Sequence, residues 1–523
     1  MDLSLIKLQS CRKESRPAGG GEVKFMENRS SGIVLHITSL PGDYGIGSMG
    51  REARSYVDFL QRSGQQYWQI LPLNPIGLGN SPYMTTSVFA GNPLIIDLDE
   101  LAERGLLTWD EVATARSDWQ DLVDFDRVWR TRPTLLELAY HRADRNLLEK
   151  VKEFQAQQED WLPDYCMYMA AKDHFGGKPL LEWPDKDLVH RKPEAMAHYR
   201  TILEDRIGYY AFTQYIFFDQ WHRLHAYANN HGVKIIGDLP IYVSGDSSDV
   251  WAHPELFQLD EDLQPTRLGG VPADSFNIEG QRWGNPLYNW EVHAADGYHW
   301  WCRRVKQSMQ FYDVIRFDHF RGFDTYWAID PSCKNALIGT WEKGPGMDLI
   351  NAIRGAVPEA DFIAEDLGVL SHSAYQLVKD SGLPGMRVLV DAFDPSGNSS
   401  FLPHNCPKNA IMYTSTHDNA TFVQWLTEDA SPEQREFATK YLRLRADEGY
   451  GWGAICGAWG SPCVLAMTTM QDVLGLGGDA RMNMPGTCGG RNWGWRVRRE
   501  ALNEGVSGRL LDITRTYCRV LRE

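Results

Sequence analysis

A chain of 523 residues, 43% hydrophobic and 23% charged, with a mean hydropathy of −0.41, reads as a soluble globular protein large enough for a barrel with insertions. A disordered or fibrous chain is excluded. Its 53 Lys and Arg against 69 Asp and Glu give a net charge of −16, which repels phosphate backbones and anionic lipid, so neither nucleic acid nor a membrane is an expected partner. Nine scattered cysteines without a CxxC point to neither a disulfide framework nor a zinc site, and no metal is expected.

Residues 1–21, MDLSLIKLQSCRKESRPAGGG, lack the apolar core of a signal peptide because Lys7 and Gln9 interrupt it. Residues 1–29 read as a disordered or loosely ordered tail. The expected compartment is the cytoplasm, with the plastid as the alternative if this mildly basic, Ser-containing stretch is a targeting stub.

Beyond the tail, about eight short apolar runs, many of them β-branched, each close on polar residues and lead into helix-like segments. Run 33–37 ends in Thr38-Ser39, 68–71 in Pro72-Leu73-Asn74, 234–237 in Asp238, and 314–317 in Asp318-His319. Run 362–364 ends in Glu365-Asp366, 387–390 in Asp391, 411–413 in Thr416-His417-Asp418, and 464–467 in Thr468. Such runs suit parallel strands covered on both faces, and eight alternating with helices predict an α/β fold, a (β/α)8 TIM barrel. The polar residues then fall at the strand ends where a barrel keeps its site.

Two gaps are too long for simple crossovers. The first carries amphipathic pieces at 135–154 and 209–229 and predicts a mainly helical insertion about 97–205. The second predicts a lid or insertion about 244–312. Within it residues 269–290, GGVPADSFNIEGQRWGNPLYNW, are turn chemistry with aromatics attached, suited to a loop that covers substrate. The uncharged stretch between Glu448 and Asp472 is broken by glycines and Pro462 and reads as turns and barrel wall, not as a membrane span.

In Arg316-Phe317-Asp318 the strand period of two puts guanidinium and carboxylate on one face, where the Arg would hold Asp318 ionised, as a nucleophile at an anomeric carbon requires. Glu365 leaves an apolar strand, so desolvation would raise its pKa toward that of a general acid. His417 and Asp418 sit among short polar groups suited to gripping sugar hydroxyls, although a His-Asp-Asn turn is also an ordinary helix start. Aromatics make up 12% of the chain. Tyr83, Trp251, Trp283 and Trp493, flanked by Pro, Gly or Asn, are candidate sugar platforms.

These residues carry a resemblance. The blocks SSGIVLHITSLPGDYGIGSMG, YWQILPLNPIGLGNSPY, FAGNPLIID, GDLPIYVSGDSSDVW, GQRWGNPLY, VIRFDHFRGF, FIAEDLG, YTSTHDN and ARMNMPGT resemble the 4-α-glucanotransferases of glycoside hydrolase family 77, in order from about Ser30 to Arg499. The resemblance implies a (β/α)8 barrel with inserted subdomains and no separate C-terminal β domain, acting on α-1,4-glucans and maltooligosaccharides, with glucose as an acceptor and no cofactor. By motif it implies Asp318 as nucleophile, Glu365 as general acid/base and Asp418 as transition-state stabiliser. Arg316 would orient Asp318, and His417 would bind the same sugar as Asp418. Tyr83, Asp238, Asp274, Gln281, Trp283 and Asn483 match glucan-binding positions, with Trp283 on the lid. The implied reaction is disproportionation by retaining double displacement.

The chain departs from the family pattern in three places. It has Pro272-Ala273-Asp274-Ser275-Phe276-Asn277 for PPDYFS, Leu389-Val390-Asp391-Ala392-Phe393 for LQFAF, and Ala420 after the HDN motif where an acid is usual. These bear on chain-length preference and any remote glucan site, and leave the three carboxylates untouched. The rival readings are an α-amylase-type hydrolase, a non-catalytic glucan binder, and a nicotinamide enzyme using Gly45 to Gly50 as GxGxxG. The last fails on context, since turn residues separate the strand from the glycines and no acid ends the second strand.

Overall fold

The structure, a computed structural model, describes residues 28–273 and 278–520. In chain order its strands are β1 (Ser30–Val34), β2 (Tyr67–Gln69), β3 (Lys234–Leu239), β4 (Leu268–Val271), β5 (Gln281–Pro286) and β6 (Val314–Phe317). They continue with β7 (Thr325–Ile329), β8 (Thr340–Lys343), β9 (Asp361–Ala364), β10 (Gly385–Val388), β11 (Ala410–Tyr413) and β12 (Leu465–Thr469). Eight of them close into a parallel barrel, β1-β2-β3-β6-β9-β10-β11-β12 and back to β1. This is the predicted (β/α)8 barrel, and among the described residues no strand follows β12. The predicted run 33–37 is shifted. Its strand ends at Val34, and Ile37 opens a 3-10 turn, which frees His36 from the barrel wall.

The apolar runs are buried on both faces. Ile33, Trp68, Ile235, Ile236, Ile363 and Ile411 are without solvent contact, as strands between a filled barrel and its helices require. Parallel register sets the height of the strand ends. Asp238 pairs with Arg316 and Phe317 with Ala364, so the next residues, Asp318 and Glu365, emerge at one level. Asp318 N–H donates to Leu239 O and Glu365 N–H to Phe317 O, each at 3.0 Å.

Helices fill the connection from β2 to β3. The predicted helical stretch 135–154 is two helices, Phe125–His141 and Arg145–Gln157, because Asp144 caps the second by accepting from Leu147 N–H. The 27-residue helix Glu204–Asn230 lies along the barrel. From it Gln214 accepts from Gly91 N–H at 2.8 Å and donates to Gly91 O at 2.9 Å, clamping the loop after β2 by satisfying its buried backbone.

Residues 269–290 are not the open loop that their composition suggests. They contribute β4 and β5 to an antiparallel sheet of order β5-β4-β7-β8, whose other two strands come from the connection after β6. Tertiary pairing overrides the turn chemistry. Gly270 permits it, since a Cβ there would lie 2.2 Å from Gln281 O. This lid sheet has its own small core of Leu268, Ile329 and Ala336.

Other singled-out features serve packing. The Gly45 to Gly50 segment packs on the insertion, and a Cβ on Gly50 would lie 2.0 Å from Asp97 Oδ2. The uncharged stretch before Asp472 holds the helix Tyr450–Gly460 and β12. No helix among the described residues is long and apolar enough to cross a membrane. Near the C-terminus, Arg496 donates to the carbonyls of Leu40, Trp119 and Gly42, and Arg498 pairs with Asp121.

Candidate active site

Four acid-bearing strand ends converge at the C-terminal mouth of the barrel. Arg316 is the hub. Its Nη1 donates to Asp238 at 2.6 and 2.7 Å and to Asp318 Oδ1 at 2.9 Å, and its side chain and that of Asp238 are essentially out of solvent. Burying such a pair is favourable only when each charge is met, and removing one partner costs about 3–5 kcal/mol.

That sharing changes the protonation expected for Asp318. The sequence suggests that Arg316 holds it ionised, but the same nitrogen is already engaged by both oxygens of Asp238. Desolvation, opposed by Arg316 and reinforced by Asp238, Glu365 and Asp418, pushes the Asp318 carboxyl well above the ordinary carboxylate range. Glu365 is also raised, first by desolvation and against the pull of Arg316 and two backbone donors. Those donors are His319 N–H to Oε2 at 2.8 Å and Leu367 N–H to Oε1 at 2.9 Å. The two carboxyls therefore titrate as a pair that holds on to a proton.

On the other side, Tyr83 Oη donates to Asp238 Oδ2 at 2.7 Å and lies 2.7 Å from His417 Nε2. Burial lowers the pKa of His417, so the ring is neutral and its Nε2–H donates to the phenol. The Tyr83 and His417 rings stack at 5.6 Å, and Trp493 lies 5.6 Å from Tyr83. Asp418, nearly half exposed to the cleft, accepts from Asn483 Nδ2 at 2.6 Å, while Arg481 donates to its backbone carbonyl at 2.8 Å.

The lid contributes from above. Gln281 and Trp283 share one face of β5, with Trp283 Nε1 donating to Gln281 Oε1 at 3.2 Å. The Trp283 ring meets His319 at 5.0 Å, near perpendicular. Of the sequence candidates, Tyr83, Asp238, Gln281, Trp283, Arg316, Asp318, Glu365, His417, Asp418 and Asn483 thus gather around one cleft, while Asp274, with Ser275, lies outside the described residues. Trp251 is no sugar platform. It has no solvent contact and donates to Leu188 O. Asp391 ends the 3-10 turn after β10, and Ala420 is buried.

Three residues at the site escaped the sequence reading. His36, placed inside the first strand by that reading, follows β1 and accepts from Leu71 N–H at Nδ1; burial beside His417 lowers its pKa to about 3. His319, with φ +50, adopts a left-handed conformation that costs a residue with a Cβ about 1–2 kcal/mol. Asp472 accepts from Thr414 and Ser415 hydroxyls at 2.6 Å each and from Phe422 N–H at 2.7 Å, fixing the loop that carries His417 and Asp418. The signals were a His closing an apolar run, a His inside the quoted FDHF block, and an acid just after the last strand.

Fold and site together define a (β/α)8 barrel with four carboxyl groups gathered at the C-terminal ends of its strands. The chain matches the family described as 4-alpha-glucanotransferase over residues 35–502. It is 43% identical over 498 residues to the 4-alpha-glucanotransferase of Streptococcus pneumoniae, covering 95% of this chain and 98% of that one. It is 42% identical over 480 residues to that of Thermus thermophilus, covering 90% and 95%. The solved amylomaltase from Streptococcus agalactiae in complex with acarbose superposes with a TM-score of 0.91 at 41% identity, covering 94% of this chain and 100% of that one. The chain belongs to the 4-alpha-glucanotransferase family, glycoside hydrolase family 77.

Proposed function

We propose that the protein disproportionates α-1,4-glucans, moving segments between maltooligosaccharides or starch- and glycogen-type chains, with glucose among the acceptors. The observation that carries this reading is the pairing of Asp318 with Glu365 at one level of the barrel mouth, Glu365 Oε2 being held by the N–H of the residue after Asp318.

In the working state the proton of the pair sits on Glu365 and the charge on Asp318, which alone of the two touches the Arg316 guanidinium. Glu365 gives its proton to the leaving glycosidic oxygen as Asp318 Oδ attacks the anomeric carbon. The glycosidic C–O bond breaks, an ester forms, and the shortened glucan departs. Glu365, now a base, takes the proton from the 4-hydroxyl of an acceptor, whose oxygen displaces Asp318 and restores the α configuration. Asp418, His417, Tyr83 and Asn483 grip the sugar whose ring flattens in the transition state of each step. Every proton moved belongs to this chain or to the sugars, so the reading calls for no cofactor.

Transfer prevails over hydrolysis when an acceptor reaches the intermediate before water does, a task for the lid residues Gln281 and Trp283. A slow glucosyl-fluoride inactivator tests the mechanism: the modified peptide should contain Asp318, and modification elsewhere, or none, would remove Asp318 from the nucleophile role.

A further inference from the structure

His319 reaches the two sides of the cleft through different atoms. Its backbone N–H donates to Glu365 Oε2 at 2.8 Å, and its imidazole stands against Trp283 of the lid strand β5, centroids 5.0 Å apart and planes at 89°. The ring is seated over Gly322, where a Cβ would lie 3.1 Å from His319 Cδ2 and 2.5 Å from Ile241 Cδ1, so the seat exists because residue 322 has no side chain. The backbone of His319 is left-handed, with φ +50, a conformation that persists only where the surroundings impose it. The chain is pinned on both sides of this residue, Asp318 N–H on Leu239 O at 3.0 Å and Phe320 N–H on Glu365 O at 3.1 Å, so returning φ to the right-handed region must tilt the peptide plane that carries the N–H and turn it from Glu365. The ring between Trp283 and Gly322 and the N–H on Glu365 are therefore parts of one constraint.

We propose that His319 is a positioning residue that couples the lid to the general acid/base: an acceptor sugar seated on Trp283 holds the imidazole in its seat and so fixes the N–H that aims Glu365. The coupling runs through the backbone and not through charge on the ring, which burial keeps neutral by lowering its pKa to about 3. The charged groups around Glu365 are Arg316 and Asp318 from the end of β6, Arg321 from the 3-10 turn Phe320–Phe323, and Asp366 on its own loop. Against that set the His319 N–H favours the carboxylate form of Glu365, so weakening it raises the Glu365 pKa. Because the first step needs Glu365 protonated, the basic limb of kcat/KM then moves to higher pH.

The inference rests on the proposed reaction and is tested with two variants in maltotriose disproportionation with glucose as acceptor. His319→Val introduces a β-branched side chain that resists a left-handed backbone. Its basic limb should rise by about one pH unit, with kcat falling about tenfold. His319→Asn tolerates the left-handed backbone and keeps the N–H but loses the imidazole. With the ring gone the N–H is held by backbone preference alone, so the basic limb should rise by less than in the Val variant while the KM for glucose rises severalfold and the hydrolysed share of product grows. A merely structural His would lower activity in both variants and move neither the pH profile nor the acceptor KM. A Val profile superimposed on wild type, or an Asn variant with wild-type acceptor KM, overturns the coupling, and the Asn arm decides alone if His319→Val does not fold. The wild-type product ladder, run alongside, separates the two levels: its absence breaks the proposed function, whereas its presence with an unmoved Val profile breaks only this inference.

Discussion

The floor of the cleft and its lid are built by opposite means. On the floor, Asp238 and Arg316 on barrel strands, and Tyr83 and His417 on the loops that follow β2 and β11, are locked by contacts of 2.6 to 2.7 Å. The lid sheet packs Tyr326 and Ala328 of β7 on the main core, but its own second core is only Leu268, Ile329 and Ala336, and its margin leaves Ile278 83% and Ile338 72% exposed. Chemistry that needs a fixed proton and a fixed charge sits where packing permits one arrangement. The lid, to which the proposed function gives the choice of acceptor, has little buried area of its own to hold the backbone, and such elements open at low cost.

The largest effect that would break this contrast lies on the floor. Asp318→Asn should lower transfer by on the order of 10⁴-fold or more, with glucan binding by calorimetry near wild type, and retained turnover would remove the floor from the chemistry. Arg316→Met leaves Asp238 buried without its counter-charge and should cost about 3–5 kcal/mol, read as a lowered urea midpoint together with a collapse of kcat.

Acidity provides a third test, of intermediate size. His36 at the floor and His293 in the aromatic base under the lid are buried, and burial lowers their pKa values to about 3 and about 4. The folded state excludes the proton that the unfolded chain accepts near pH 6.5. Their contribution is complete above that pH and is lost as pH falls, about 2 kcal/mol each at pH 5. Melting temperatures across pH 7 to 5 should therefore fall less steeply for His293→Phe than for wild type; parallel slopes would show that this ring does not titrate with unfolding.

The lid should yield smaller, more selective changes. Trp283→Ala should lower transfer about tenfold while raising the ratio of hydrolysis to transfer, measured as reducing ends released per oligosaccharide formed. Trp341→Ala, at the exposed edge strand β8 under the Arg321 guanidinium, should change stability by under about 1 kcal/mol and leave kcat unmoved.

The same contrast governs what the sequence made readable. Apolar runs with acids at their ends announced the barrel and placed Asp238, Asp318, Glu365 and Asp418, because strand period and burial are local properties of a few residues. The lid sheet was not legible: Gly269, Gly270 and Pro272 read as turn, and β7 and β8 lie in another connection. Their pairing is a tertiary event that composition does not encode. Trp251 looked like a platform beside its polar neighbours, yet it fills the core, since flanking residues do not report which way a ring faces. The raised pKa of Asp318 escaped for the same reason: the pairing of Arg316 and Asp318 was visible in the strand, but the prior claim of Asp238 on that guanidinium comes from a strand nearly eighty residues away.

Transfer between α-1,4-glucans distinguishes this enzyme from a hydrolase or a binding protein. The most direct test is to incubate the purified protein with maltotriose alone, without added metal or cofactor, and follow both the oligosaccharides and the total reducing ends. Transfer gives glucose together with a ladder of longer oligosaccharides at constant reducing ends. Rising reducing ends with only shorter products would contradict it in favour of hydrolysis, and unchanged maltotriose would contradict it in favour of a binding protein.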